Sequence, residues 1–120
     1  MKRVIGIGGI FFKTNDKAKT LEWYKNHLGI QSEDWGTSFH WREKEDPAKE
    51  GYTVWSPFKN STDYFSPSEK QFMINYRVEN LDELLKQLKK EGITVVGEQL
   101  QEGYGKFAWI MDPEGNKIEL

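Results

Sequence analysis

The sequence predicts an α+β domain made of two βαβββ modules packed around a cavity. Three observations predict it. Strand-like and helix-like stretches follow the order strand, helix, strands twice along the chain. Each helix ends on the same pair of residues, Gly29-Ile30 and Gly92-Ile93. A turn signature also recurs, as Asp46-Pro47 with Glu50-Gly51 and as Asp112-Pro113-Glu114-Gly115. Four strands and one helix cover only one face of a sheet, so the other face of each module needs a partner. Two modules facing one another meet that need and leave a cleft between them.

The elements follow in order. Residues 4–13 are dense in Val, Ile and Phe and read as a strand, although Gly6, Gly8 and Gly9 lower its propensity. Glycine inside a strand marks a close approach of a ligand or of another backbone. Asn15-Asp16 opens a helix, with Leu21, Tyr24 and Leu28 on one face, and Gly29 closes it as a left-handed cap. Residues 37–43 alternate, with Phe39 and Trp41 opposed to Ser38, His40 and Arg42. Residues 52–58 form another strand, whose ladder bonding Pro57 ends. Residues 60–70 are polar and carry Pro67. They read as a linker, dividing a single domain of residues 1–120 into modules 1–58 and 71–120 joined by 59–70.

The second module opens at residues 71–78, where Phe72, Ile74, Tyr76 and Val78 alternate against Gln71, Met73, Asn75 and Arg77. Asn80 and Glu83 have capping-box spacing ahead of a helix over residues 81–91. Leu81, Leu84, Leu85 and Leu88 form its apolar face, and acidic residues at its start and lysines at its end suit the helix dipole. Residues 93–98, 104–111 and 116–120 read as strands, with residues 112–115 as a tight turn.

Composition narrows the function. A chain of 120 residues supports one core. The 17 basic and 19 acidic residues are well mixed, so no basic stripe exists to bind nucleic acid. No apolar run approaches the roughly 20 residues of a membrane span, and the first residues show no signal-peptide core. The absence of cysteine removes disulfides, thiolate zinc sites and thiol nucleophiles, and points to the cytoplasm. Aromatic residues reach 14%, with Trp23, Trp35, Trp41, Trp55 and Trp109 among them. That is much ring surface for so small an interior, so either the core is ring-rich or some rings line a concave surface.

The repeat pattern, Thr14-Asn15-Asp16 leading to Trp23-Tyr24 and Leu28-Gly29, and above all the ending Asp112-Pro113-Glu114-Gly115-Asn116-Lys117-Ile118-Glu119-Leu120 carry a resemblance. The sequence resembles the vicinal oxygen chelate superfamily, which groups glyoxalase I, bleomycin-resistance proteins and extradiol dioxygenases. The resemblance implies a U-shaped sheet around a cavity and a homodimer. It also implies, in metal-dependent members, four ligands from the first and last strands of the modules. Carried over, those positions fall on Gly9, Trp55, Met73 and Glu119. Only Glu119 suits a divalent ion, and a protein site needs about three ligands. No metal and no cofactor is therefore expected. His27 reads as an exposed helix-end residue, and His40 as a strand residue of undetermined face.

The candidate ligand-binding residues are Phe11, Trp41, Trp55, Met73, Asn75, Trp109 and Glu119. Trp41 and Trp109 serve equally well as core packing, and Arg77 stands as a salt-bridge partner for Glu119. Three functions stay open. The leading one is metal-free binding or sequestration of a small aromatic or apolar compound, for which Glu119 and Trp55 suit a cation. The alternatives are a metal-dependent enzyme of glyoxalase or dioxygenase type, and a metal-free enzyme with Glu119 as catalytic base.

Overall fold

A computed structural model describes residues 2–120. The chain runs β1 (Val4–Thr14), α1 (Lys17–Leu28), β2 (Thr37–Arg42), β3 (Glu50–Lys59), β4 (Phe72–Val78), α2 (Leu81–Lys90), β5 (Leu100–Glu102), β6 (Gly105–Phe107), β7 (Trp109–Met111) and β8 (Lys117–Glu119). The main sheet has the order β2-β3-β1-β4-β8-β7. β1 and β4 lie antiparallel at its centre, and each is flanked by the parallel last strand of its own half, β3 or β8. The two halves therefore meet within one chain and are related by an approximate two-fold axis between β1 and β4.

Both helices begin and end where local chemistry dictates. Asp16 caps α1 by accepting the Lys19 backbone N–H, and Gly29 closes it at φ 70. Asn80 caps α2 by accepting the Glu83 N–H at 3.1 Å. The helices then diverge. α2 buries Leu81, Leu84 and Leu85 against Ala108 and Leu120 and forms the larger core cluster. No residue of α1 is fully buried; its Tyr24 packs on Trp55 and, through it, on Phe12.

Three segments differ from the sequence reading. Residues 93–98 form an isolated bridge, Val95 to Ile110, rather than a strand. Gly97, at φ 68, turns the chain away directly afterwards. Residues 104–111 divide into two strands: β6 leaves the main sheet to pair with β5 as a separate hairpin, and β7 stays beside β8.

The third difference concerns the supposed linker. Residues 60–70 join β3 to β4 and are mostly exposed, but they send Phe65 and Ser68 into the interior. Phe65 is 0% exposed and sits with Phe11 and Met73 in a second core cluster, joined by Phe58, Tyr64 and Trp109. Burial of one aromatic pair outweighs the polar composition around it, because a single buried ring removes on the order of 150–250 Å² from water. Among the described residues, no helix is long and apolar enough to cross a membrane.

Truncating Phe65 to alanine should cost about 3–5 kcal/mol in urea unfolding, the cost of a core phenylalanine. A residue in an exposed linker would change stability by less than about 0.5 kcal/mol.

Candidate functional site

The curved sheet encloses a cleft of about 580 Å³ on the face away from the helices. Strand registers determine what lies at its floor. Gly9 of β1 is opposite both Val54 of β3 and Asn75 of β4, and Asn75 is opposite Glu119 of β8. Val54, Gly9, Asn75 and Glu119 thus form one row across four strands. This row differs from the one expected from the sequence by one residue in the first half and two in the second. A bulge in β1 between Ile7 and Gly9, which a pattern of alternating residues does not reveal, contributes to the shift.

Glu119 is the centre of the site. It is 2% exposed, yet every oxygen is satisfied. Asn75 Nδ2 donates to Oε1 at 2.9 Å, Trp109 Nε1 donates to Oε2 at 2.9 Å, and the Tyr64 hydroxyl donates to Oε2 as well. A buried carboxylate is tolerable only with such compensation. Burial, reinforced by the hydrogen bond to Glu119, pushes the Tyr64 hydroxyl well above its ordinary pKa and keeps it a donor. Lys117, two residues before Glu119, donates from Nζ to the Tyr64 carbonyl at 2.8 Å and packs near the rings of Tyr64 and Trp109. Burial lowers the pKa of its ammonium, opposed by the nearby Glu119 charge.

The turn before β8 sets the reach of that strand. Asp112 Oδ1 accepts the backbone N–H groups of Glu114 and Asn116, and Oδ2 accepts the Asn116 amide at 2.8 Å. The Asn116 side-chain bond, followed by the backbone bonds, holds the Asp112 carboxyl below the usual aspartate range. Gly8 matters on the opposite side of the row, since a Cβ there would come within 2.1 Å of Asn75 Oδ1. The bare strand lets the Asn75 amide lie across β1.

The expected site residues separate into three groups. Phe11, Asn75 and Glu119 line the cleft. Trp109 supports Glu119 by hydrogen bonding, and Trp41 carries the guanidinium of Arg77 on its ring, 4.5 Å from centroid to Cζ. Trp55 and Met73 are not brought to it. Trp55 stands on the helix side of the sheet against Tyr24, and Met73 is fully buried beside Phe11 and Phe65. Arg77 pairs with Glu43 at 3.7 Å and not with Glu119. His27 lies against Trp23 on α1, and His40 lies beside Tyr52 on the β2–β3 ribbon.

Two groups of cleft residues lay outside the sequence reading. Tyr64 comes from the segment taken for a linker, where the pair Tyr64-Phe65 in polar surroundings was the available signal. Leu100, Tyr104, Lys106 and Phe107 come from the β5–β6 hairpin, which forms the wall opposite Val54 and Phe58. The hairpin is tied to α2 where Asp82 accepts from Gln99 at 3.0 Å and from Lys106 at 3.0 Å. These bonds, that of Gln99 first, hold the Asp82 carboxyl below its ordinary value.

A sequence profile of the Glyoxalase/Bleomycin resistance protein/Dioxygenase superfamily matches residues 6–120. The chain belongs to this superfamily. Solved structures share its fold at low identity. A variant of Streptomyces coelicolor methylmalonyl-CoA epimerase in complex with 2-nitronate-propionyl-CoA superposes with a TM-score of 0.68 at 15% identity, covering 98% of this chain and 93% of that one. Methylmalonyl-CoA epimerase from Mycobacterium tuberculosis gives 0.60 at 19% identity, over 100% and 89% of the two chains. NAD-dependent benzaldehyde dehydrogenase from Legionella pneumophila gives 0.59 at 19%, over 92% and 94%. No curated protein sequence matches the chain.

The metal centre that the superfamily implies can be tested against the floor row. Glu119 alone among Val54, Gly9, Asn75 and Glu119 carries a ligand group suited to a divalent ion. Its oxygens already accept three hydrogen bonds, which occupy three of the roughly four lone-pair sites of the carboxylate and leave one for an ion. Among the described residues, no three His, Cys, Asp or Glu side chains converge anywhere. These residues do not fit a bound metal.

The Asp112 turn gives a pH test with a definite sign. A carboxyl whose folded pKa lies below its unfolded value stabilises the fold above the unfolded pKa and loses that effect as pH falls. The gap in thermal midpoint between wild type and Asp112→Ala should therefore be widest near neutrality and shrink as pH drops from about 5 to about 2.5. A gap independent of pH would show that the turn does not rely on the ionised carboxylate.

Proposed function

We propose that the protein binds a small, flat, largely apolar organic compound in the cleft and makes or breaks no bond at Glu119. The observation that carries this reading is the triple hydrogen bonding of the Glu119 carboxylate. A general base must reach the proton it takes with a free lone pair, and three of the roughly four lone-pair sites of this buried carboxylate are committed to Asn75, Tyr64 and Trp109. The same commitment argues against metal-assisted chemistry at the floor. It also removes the reason to expect a cationic ligand, because the charge is already compensated and Trp55 faces away from the cleft.

The lining supports binding of a planar group. Phe58 and Tyr64 stack with centroids 5.4 Å apart and planes 7° apart, and Phe11 meets Phe58 edge-on at 5.6 Å. Rigid rings offer large contact area at little conformational cost, with a few polar groups to orient the guest. Titration of tryptophan fluorescence with naphthalene and indole compounds should saturate, and mass spectrometry should recover each compound unchanged. Phe58→Ala should weaken the best binder by about 1–3 kcal/mol, roughly a buried ring's share. Steady conversion of a bound compound would overturn the reading in favour of an enzyme.

A homodimer in the cytoplasm completes the proposal. Ile5, Ile7, Ile10 and Phe72 are exposed on the strands at the centre of the sheet, an apolar strip that a second copy would cover. The lack of cysteine supports the location. Light scattering should give twice the mass of 14.1 kDa, and Ile7→Lys should return the monomer. A wild-type monomer at all concentrations would refute the dimer.

A further inference from the structure

Resting on the reading of the cleft as a binding site, we propose that Arg77 selects guests bearing a carboxylate, so that the compound held is an aromatic or apolar acid. The inference starts from the way the guanidinium is mounted. Arg77 leaves β4 and crosses β1 where that strand has no side chains. A Cβ on Gly8 would approach Arg77 Cγ to 3.0 Å, and one on Gly6 would sit 3.6 Å from Nη1. Trp41 reaches over from β2 across another bare position, since a Cβ on Gly51 would come within 2.2 Å of its ring. The Arg77 guanidinium lies over the Trp41 ring, with Cζ 4.5 Å from the ring centroid. The ring is itself anchored: Trp41 Nε1 donates to Thr53 Oγ1 at 3.0 Å, and the Thr53 hydroxyl donates to the Ile7 carbonyl at 2.8 Å.

A guanidinium held over a ring by cation–π attraction keeps the N–H groups that do not point at the ring available for hydrogen bonding. Arg77 lines the cleft with a side chain 27% exposed. Its ion pair with Glu43, at 3.7 Å, lies beyond hydrogen-bond reach. The other charged groups at the cleft are differently placed. Lys106 is held by Asp82, Glu50 is paired with Arg42, and Glu119 accepts three hydrogen bonds. Among the described residues of the cleft, Arg77 is thus the charged side chain whose hydrogen-bonding capacity is least used.

A planar fork of donors matches a carboxylate, which it can grip with two parallel bonds. A phosphate dianion calls for a second available cation, and Lys106 is engaged. A cationic guest would meet Arg77 as a like charge. The geometry therefore favours a ring system lying toward Phe58 and Tyr64 with its acid group turned to Arg77.

The experiment compares three probes of one shape on the intact protein at neutral pH: naphthoate, naphthamide and naphthylmethylammonium, titrated by calorimetry. Naphthoate should bind about tenfold or more tightly than the amide, as a charge-assisted hydrogen bond warrants, and the ammonium most weakly. Arg77→Gln should abolish the preference for the acid over the amide, lowering naphthoate affinity by about tenfold more than that of naphthamide. Glu43→Gln, which removes the competing carboxylate, should strengthen naphthoate. Equal affinity for acid and amide, or preference for the ammonium, would overturn the role of Arg77 while leaving the cleft a binding site. Failure of all three probes to bind would overturn both. If Arg77→Gln fails to fold, as judged by circular dichroism, the wild-type ranking and the Glu43→Gln response still decide.

Discussion

Glu119 is a negative charge placed where water cannot reach it, and the rest of the site is arranged around that fact. Three donors from three separate parts of the chain converge on its two oxygens: Asn75 from β4, Trp109 from β7 and Tyr64 from the connection between the halves. Each donor is secured in turn. Gly8 makes room for Asn75, Lys117 fixes the backbone of Tyr64, and the pairing of β7 with β8 places Trp109 directly opposite Glu119. Leaving any of these partners out would strand a buried polar group, at a cost on the order of 1–3 kcal/mol or more for a charge. The acid therefore ties the connection to the second half of the sheet.

The two halves share a plan but divide its uses. The second half has a strongly amphipathic helix, three buried leucines and a well-formed core. The first half has a helix with no fully buried residue, and its tightest packing lies on the cleft side, around Phe11 and Phe65. Rings are abundant in both halves and in the connection between them. Those of the first module cover a sheet that its helix leaves partly bare, and those of the connection fill the cleft side.

Local signals were legible in the sequence, and non-local ones were not. Asp16, Gly29, Asn80 and Gly92 mark helix ends by chemistry confined to a few residues; the structure has caps at Asp16, Gly29 and Asn80, while α2 is capped by Glu91 with Gly92, at φ 78, directly after it. The βαβββ order and the superfamily could be read for the same reason. Register could not, because it depends on a bulge in β1 and on which residues face one another across strands far apart in sequence. Trp55 and Met73 were aligned to the floor by an internal repeat that slips by one or two positions, and a slip of one exchanges the faces of a strand. Tyr64 was obscured by composition: the eight polar residues among positions 60–70 say nothing of two rings that turn inward. Arg77 was recognised as facing the cleft, but its resting place on Trp41 depends on glycines in two other strands.

The β5–β6 hairpin stands apart from the main sheet and is moored to α2 through a single aspartate. It contributes a whole side of the chamber while contributing little to the fold's interior. Such a panel can be exchanged, lengthened or re-contoured without disturbing the acid-centred joint behind it. Diversification of what this scaffold accommodates would accordingly be written first in those few residues, whereas the joint itself would change slowly.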